Sequence, residues 1–247
     1  LLVFPNIEFR VDTIIERKRL NYHVLFSPNV PINHIEEHFL HDLDFVHEEQ
    51  PFQDSDTRKL KLANLQEFGE NLRQQHSSFR SKTALEIGCM TAKVKLEDIK
   101  HRLSKDGRFS GNYLLVLAEE NLPEWDGQDH ATRKQLIQMS HAIFSSNGGT
   151  REFYLGKKHK TEEEYIYEFK SFKPCLWGCD SHGFEQRFLE PDNKRYCWIK
   201  GEISWEGLRQ VLFEPEHRVR IQQNNPEHTK SYYTLDSVNV ESTQLNS

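Results

Sequence analysis

Cysteine is scarce in this chain: 4 Cys occur in 247 residues, and no two of them form a C-x-x-C pair. This count argues against a disulfide framework and against a structural zinc site on thiolates, and it favours a reducing, cytoplasmic setting. No run reaches the roughly 18 apolar residues that a membrane helix needs, and no signal peptide is present, so no membrane partner is expected. The phosphate-loop pattern G-x-x-x-x-G-K-[ST] is also missing.

Excess positive charge is likewise absent. The net charge is -6, with 36% hydrophobic and 28% charged residues. This composition fits one large domain, or one domain with a trailing segment, and a very polar surface. It argues against a protein that holds nucleic acid by bulk charge alone, and it leaves room for a local, metal-assisted phosphate site.

Apolar runs alternate with helical spacings along the chain. The segment between the first two strands, RVDTIIERKRLN, is predicted to be a hairpin-type connection, and residues 147–149 are predicted to be a turn. The alternation predicts the α/β class with a mostly parallel sheet or a barrel. Strands are predicted at 1–11, 21–26, 113–118, 142–146 and 174–179, and helices at 31–47, 56–75, 95–103, 131–141, 162–169 and 204–213.

Oxygen and imidazole side chains stand on four of the predicted strands or directly after them. In α/β folds ligands gather at the carboxyl ends of strands, so these side chains can converge on divalent ions. In an extended D-x-H segment both side chains point to the same side. Bound ions of this kind activate water and neutralise phosphoryl charge. The candidate ligands are Glu8, His23, Glu119, Asp180 and His182, with His130 in a following loop.

Each of these candidates has a structural alternative. Glu8 could be salt-bridged to an arginine, and His23, between apolar neighbours, could be a core histidine. Asp180 and His182 could form a capped turn. Glu119 could simply begin a loop.

Other histidines can imitate a metal site. His34, His38 and His41 share one face of a predicted helix, but the acidic residues beside them favour a solvated surface. His141 suits the carboxyl end of a helix, where a cation interacts favourably with the dipole.

The segments PNIEFR, NYHVLFS and WGCDSHG resemble motifs of the PHP (polymerase and histidinol phosphatase) family. The segments IFSSNGGTREFYLGKK and RYCWIKGEISWEGLRQVLFEPEHRVRI resemble one branch of it, the TrlF-type proteins, in which a PHP domain precedes an SMC-like or AAA-like ATPase. The resemblance extends to about Ile221. It implies a distorted seven-stranded (β/α) barrel over residues 1–222, N-terminally incomplete in this chain, and a linker over 223–247 towards an ATPase domain of the same longer protein.

The resemblance also implies a cluster of two or three divalent ions, Mn, Mg, Zn or Fe, that hydrolyses phosphate esters. Glu8 matches the metal-bridging carboxylate, His23 matches the histidine on the next strand, and Asp180 with His182 matches the final D-x-H pair; Glu8, Asp180 and His182 are the implied catalytic residues. The family's opening H-x-H motif is not in this chain. Glu119 stands where the family's A-H-P histidine falls, and a carboxylate there suits Mg²⁺ or Mn²⁺ better than zinc.

We therefore expect a metal-dependent phosphoesterase of the nuclease type. Its substrate would be nucleic acid or another phosphate ester, and the family branch implies a role in anti-phage defence or DNA repair. The loss of the A-H-P histidine favours an alternative, a catalytically inactive barrel that serves as a scaffold or nucleic-acid-docking module. A third interpretation is a regulatory assembly module that binds a partner through residues 198–213, and a homo-oligomer is left open.

Overall fold

The computed structural model describes residues 1–15, 18–46, 58–119, 129–179 and 195–226. Single 3₁₀ turns lie at Leu40–Asp42, Ser77–Phe79 and Gln210–Leu212. The strands are β1 (Asn6–Ile15), β2 (Lys18–Phe26), β3 (Phe45–Val46), β4 (Lys93–Val94), β5 (Tyr113–Ala118), β6 (Ala142–Phe144), β7 (Cys175–Leu176), β8 (Tyr196–Ile199) and β9 (Val219–Gln222). The helices are α1 (Ile32–His38), α2 (Leu62–Gln75), α3 (Ala84–Thr91), α4 (Leu96–Lys105), α5 (His130–Met139), α6 (Gly148–Tyr154), α7 (Glu162–Phe169), α8 (Trp205–Arg209) and α9 (Pro215–Arg218).

A seven-stranded sheet in the order β3-β4-β1-β2-β5-β6-β7 forms the centre of the described part of the chain. Strands β1, β4, β5, β6 and β7 run in one direction, whereas β2 and β3 run in the opposite direction. Strands β8 and β9 form a separate antiparallel pair. The predicted α/β class with a mostly parallel sheet is therefore confirmed, while closure of the sheet into a barrel stays a prediction.

Strand β1 lies further along the chain than the prediction of 1–11, and β2 is longer than the predicted 21–26. Nearly all of the segment predicted as a connection is itself strand, because β1 continues to Ile15 and β2 already begins at Lys18. The β-branched residues Val11, Thr13 and Ile14 favour this extended conformation. A register irregularity between Arg10 and Ile14 interrupts the ladder.

Helices cover one face of the sheet. Tyr22 and Val24 of β2 are fully buried on this face. Full burial of a large apolar side chain contributes about 1.5–3 kcal/mol, so this layer supplies most of the hydrophobic stabilisation. The helices contribute Ile35 (α1), Ile99 (α4), Ile137 (α5) and Phe169 (α7) to the same cluster.

The opposite face of the sheet is covered by the C-terminal elements. Leu25, Leu114 and Val116 form a second core cluster with Trp205 and Leu208 of α8. The indole Nε1 of Trp205 donates a hydrogen bond of 3.0 Å to the backbone oxygen of Gly111, which ties α8 to the loop before β5. On this same face the strip formed by β1 and the first half of β2 carries polar side chains instead.

Short polar side chains fix where several helices begin. Asn147 accepts a hydrogen bond from the backbone N–H of Thr150, so residues 147–149 begin helix α6 and the predicted turn is wrong there. Thr83 and Glu86 form a reciprocal capping box at α3. Thr161 and Ser204 cap α7 and α8 in the same way as Asn147.

The helix predicted over 31–47 is the clearest error in the secondary structure. Helix α1 ends at His38, a 3₁₀ turn follows, and Phe45 and Val46 then form strand β3 beside β4. Phe39 and Leu43 continue the helical spacing and are fully buried, but they are held by tertiary packing rather than by one long helix. The helix predicted over 56–75 begins at Leu62, and the start of that prediction lies outside the described residues.

Helices α2 and α3 pack against each other at very short range. The sequence did not predict α3. A Cβ atom added to Gly69 would lie 1.7 Å from the backbone oxygen of Ala84, and one added to Gly88 would lie 2.0 Å from that of Leu65. Only glycine allows the two backbones to approach this closely.

Strand β9 ends at Gln222, and the domain boundary predicted near residue 222 stays a prediction. The indole of Trp198 on β8 donates to the backbone oxygen of Gln222 at 3.0 Å and holds this end of the hairpin. Most of the predicted linker lies outside the described residues. Among the helices of the described ranges, none has both the length and the apolar character needed to cross a membrane.

Candidate functional site

Glu8 and His23 lie directly opposite each other on β1 and β2. The backbone N–H of Phe26 donates to the oxygen of Pro5 at 2.8 Å, so the hydrogen-bonded pairs of this ladder involve the odd-numbered residues of β1. Glu8 and His23 therefore form a non-hydrogen-bonded pair, in which the Cα atoms are about 4.5 Å apart and the side chains are closest. The register alone makes them neighbours on one face.

Two asparagine amides orient this pair. Asn21 donates from Nδ2 to Oε1 of Glu8 at 2.5 Å. The amide of Asn6 faces Nδ1 of His23, with Nδ2 at 3.2 Å and Oδ1 at 3.3 Å. When Nδ1 carries the proton and donates to Oδ1, the lone pair of the imidazole is on Nε2, the tautomer that a metal ligand needs.

The pair lies where the sheet face changes from apolar to polar. The ring of Phe144 on β6 contacts the ring of His23 edge-on, with centroids 4.8 Å apart. Glu8 is exposed and His23 is half-buried. The site thus has an apolar wall on one side and an open side along β1.

A series of paired residues leads across the sheet from Asn21 on β2 to β7. Asn21 is paired with Ala118 on β5, Ala118 with Phe144 on β6, and Phe144 with Leu176 on β7. The chain beyond Cys179 leads into Asp180 and His182, both of which lie outside the described residues. The prediction that they act as ligands therefore stays a prediction.

Glu119 is engaged on the helix-covered face instead. Its carboxylate accepts hydrogen bonds from the guanidinium of Arg133 and the hydroxyl of Tyr154, and both side chains of the ion pair are only 5% exposed. Burial and the neighbouring charge of Glu119 raise the pKa of Tyr154 well above its usual value, so this phenol remains a donor. Glu119 thus joins β5 to α5 and α6, a role that sequence reasoning did not foresee.

His130 begins helix α5 and pairs with a different residue. Its Nε2 lies 2.8 Å from Oε1 of Glu168 on α7, and Nε2 of His159 lies 3.7 Å from the other oxygen of that carboxylate. This arrangement links α5 to α7 within the helix layer. Like Glu119, His130 has a structural partner that the sequence pattern did not reveal.

The histidines expected to be surface residues divide into two kinds. His38 is 54% exposed in its side chain, as expected, whereas that of His34 is only 6% exposed. Nε2 of His34 lies 2.7 Å from Asp106, and its Nδ1 lies 2.9 Å from the guanidinium of Arg108. His34 is therefore a buried structural histidine rather than a solvated one.

Within the described ranges no group of three or more His, Cys, Asp or Glu residues is placed to hold a metal ion. Glu8 and His23 offer one carboxylate and one imidazole, which are two of the four to six donors that a divalent ion takes. Any further donors must come from elsewhere in the chain or from a substrate. The described residues therefore do not form a complete metal site, and the prediction of one stays a prediction.

Sequence reasoning missed Asn6 and Asn21, although the signal was present. The patterns N-x-E in β1 and N-x-H in β2 place polar side chains at alternate positions. A two-residue period puts all four on one face of the hairpin. The alternation could therefore have identified the two asparagines.

Comparison of the chain with models of protein families, with curated proteins and with solved structures gave no match. The family resemblance of the motifs consequently remains a hypothesis.

Proposed function

We propose that the chain carries the divalent-metal site of a phosphoester hydrolase, with the Glu8–His23 pair at its centre. The observation that carries the proposal is the cross-strand register, which sets a carboxylate beside an imidazole on one open sheet face. The PHP-like motifs add the substrate class and the barrel as parts of the same proposal.

The chemistry of the donors fits such an ion. A carboxylate with an imidazole suits Mn²⁺, Fe²⁺ or Zn²⁺. Ligands of this type are commonly oriented by hydrogen bonds from a second layer of residues, and Asn21 and Asn6 occupy that position for Glu8 and His23. In the proposal Asp180 and His182 complete the set.

When bound, the ion would lower the pKa of water and neutralise charge on the phosphoryl oxygens. Glu8 would hold the ion through the oxygens that Asn21 orients. His23 would bind through Nε2 while Asn6 fixes the ring. Arg10 lies two residues further along β1, and its guanidinium donates a hydrogen bond of 2.7 Å to the backbone oxygen of Met90. Its other N–H groups would contact phosphate oxygens in the proposal.

The proposed substrate is a nucleic-acid phosphodiester. The net charge of -6 supplies no bulk attraction for a polyanion, so recognition would depend on the metal ions and on local cations such as Arg10. The link to an ATPase and to anti-phage defence or DNA repair rests on analogy with the TrlF-type branch.

One observation favours a second candidate, a non-catalytic scaffold. Glu119, which stands where the family has a metal-binding histidine, is held in a buried ion pair with Arg133. A barrel without that ligand could keep its fold and dock nucleic acid or a partner without hydrolysis.

Metal content separates the two candidates. Plasma mass spectrometry after loading with Mn²⁺ should find two or more ions per chain in the wild type. The variant His23→Ala and the double variant Asp180→Ala with His182→Ala should lose them. Hydrolysis of bis(p-nitrophenyl) phosphate, single-stranded DNA and RNA should fall by at least a hundredfold in parallel.

The control variant is His101→Ala, which removes an exposed histidine from α4. It should keep both the metal and the activity. A folded wild type that stays metal-free after loading would reject the hydrolase and support the scaffold. The same experiments should be repeated on the longer protein to which we propose that the chain belongs.

A further inference from the structure

Among the residues that the structure describes, strand β1 has an open edge over Asn6–Glu8 on the side away from β2. The ladder with β2 spans Asn6 to Arg10, but β4 meets β1 only at Val11. Because the odd-numbered residues of β1 bond to β2, the N–H and C=O groups of Asn6 and Glu8 point the other way. In the described part of the chain no hydrogen bond reaches these two donors and two acceptors.

This open edge forms one wall of a cavity of about 490 Å³. Helices α1, α2 and α3 and the start of β4 supply the other walls. Their side chains are mainly apolar, although Glu36 and His41 also reach the cavity. The apolar walls are formed by Ile32, Ile35, Leu62, Leu65, Ala92 and Val94.

An unpaired strand edge inside an apolar cavity requires an unusual ligand. Such an edge is a template for a further strand, and exposed edges are normally blunted by charge or by proline. Here Glu8 and Arg10 flank the unpaired groups on one face of the strand, and the apolar Ile7 and Phe9 flank them on the other. A ligand that satisfies both must carry a regular row of backbone donors and acceptors together with apolar side chains, which is the chemistry of an extended peptide.

The dimensions agree with a single peptide strand. The stretch from Asn6 to Arg10 extends over about 13 Å at the usual rise of a strand. The cavity volume lies within the roughly 300–1,000 Å³ of ligand sites.

The faces of β1 also define the sequence that the strand should have. Phe9 and Ile35 belong to the same buried cluster, so side chains on that face of an added strand would be apolar. Side chains on the other face would lie beside Glu8 and Arg10, where opposite charges are favourable. We infer that the open edge of β1 binds an extended segment of a partner protein by strand addition, with apolar residues alternating with charged ones.

This inference does not depend on hydrolytic activity, and binding alone tests it. The probe is a fluorescein-labelled heptapeptide in which valine alternates with lysine and glutamate, measured by fluorescence anisotropy. Two further versions carry N-methyl groups on one or the other set of alternate amides. Strand addition uses one edge of the peptide, so one methylated version should bind at least tenfold more weakly than the other.

Amide hydrogen exchange locates the contact. The bound peptide should slow exchange at the amides of Asn6 and Glu8, which point into the cavity. Equal affinity of both methylated peptides and the unmodified one, or unchanged exchange at these two amides, would overturn the inference.

A matched pair of variants tests the cavity itself. Leu62 lines the cavity and is 62% exposed, so Leu62→Glu should keep the fold and weaken peptide binding at least tenfold. Ile203 is 87% exposed and does not line the cavity, so Ile203→Glu should bind normally. Equal losses in both variants, or a cavity that takes decanoate but no peptide, would reject strand addition.

Discussion

Glu8 and His23 occupy facing positions on two neighbouring antiparallel strands, with Asn21 hydrogen-bonded to the carboxylate and Asn6 to the imidazole. Strand register holds the two potential ligands together without a contribution from any loop. In the proposed metal site, the sheet would therefore preorganise two of the donors.

Removal of the Asn21 amide should weaken metal binding if Glu8 is a ligand. Asn21→Ala deletes the donor that orients Oε1 of Glu8, and the loss of such an orienting group typically lowers metal affinity 10–100-fold. Titration calorimetry with Mn²⁺ measures this. The control variant is Asn29→Ala, at an exposed position in the turn after β2, and it should bind as the wild type. Unchanged affinity in Asn21→Ala would show that Glu8 does not ligate through that oxygen.

The elements that sequence reasoning located well carry their own signals. The predicted strand at 113–118 agrees with β5, and the predicted helix at 162–169 agrees with α7. The first is a continuous apolar run, and the second begins with Thr161 as a cap. The prediction over 31–47 failed because the apolar spacing of Ile35, Phe39 and Leu43 does not distinguish one long helix from a shorter helix with a turn.

The candidate site was predictable only in part for a related reason. Glu8 and His23 follow from residue type and strand assignment, but their hydrogen-bond partners follow from register, which no local pattern specifies. The role of Glu119 depends on Arg133 and Tyr154, which lie 14 and 35 residues further along the chain. Contacts over such separations are created by packing, so a carboxylate at a strand end looks the same in sequence whether it binds a metal or a buried arginine.

The Glu119–Arg133 ion pair should be essential for stability. Arg133→Met leaves the carboxylate of Glu119 buried without its counter-charge, and loss of one partner of a buried pair costs about 3–5 kcal/mol. Urea unfolding at pH 7 should show this loss. Adding Glu119→Gln to Arg133→Met removes the uncompensated charge and should recover part of the stability. A loss below about 1 kcal/mol in Arg133→Met would mean that water reaches the pair.

His141 should make the protein sensitive to mild acid. Burial, together with the charges of Lys173, Lys100 and Arg209, lowers the pKa of His141 from 6.5 to about 4. Its Nδ1 accepts a hydrogen bond of 2.8 Å from the backbone N–H of Leu115, which requires the neutral ring. The unfolded chain takes up this proton below about pH 6.5 and the folded chain only near pH 4. Stability is therefore fully present above pH 6.5 and falls by about 2–3 kcal/mol as the pH decreases to 4.

The variant His141→Asn isolates this contribution, because asparagine does not titrate. Urea unfolding of both proteins between pH 7 and pH 4 should show a steeper loss of stability in the wild type. Other groups change the two curves alike, so the difference reports His141 alone. If the stability of both proteins fell equally with pH, the His141 ring would take up a proton in the folded state without a loss of stability.

Gly69→Ala tests the close packing of α2 on α3. The substitution has two effects of opposite sign on the stability of the fold. Helix propensity alone would stabilise α2 by about 1 kcal/mol. The added Cβ, however, would lie 1.7 Å from the backbone oxygen of Ala84, so the helices must separate, and we expect a net loss of at least about 2 kcal/mol. Thermal and urea unfolding measure the sign. Gly107→Ala is the control, since its Cβ would meet no atom within 4 Å and stability should change by less than about 0.5 kcal/mol. A stabilised Gly69→Ala protein would contradict the helix contact.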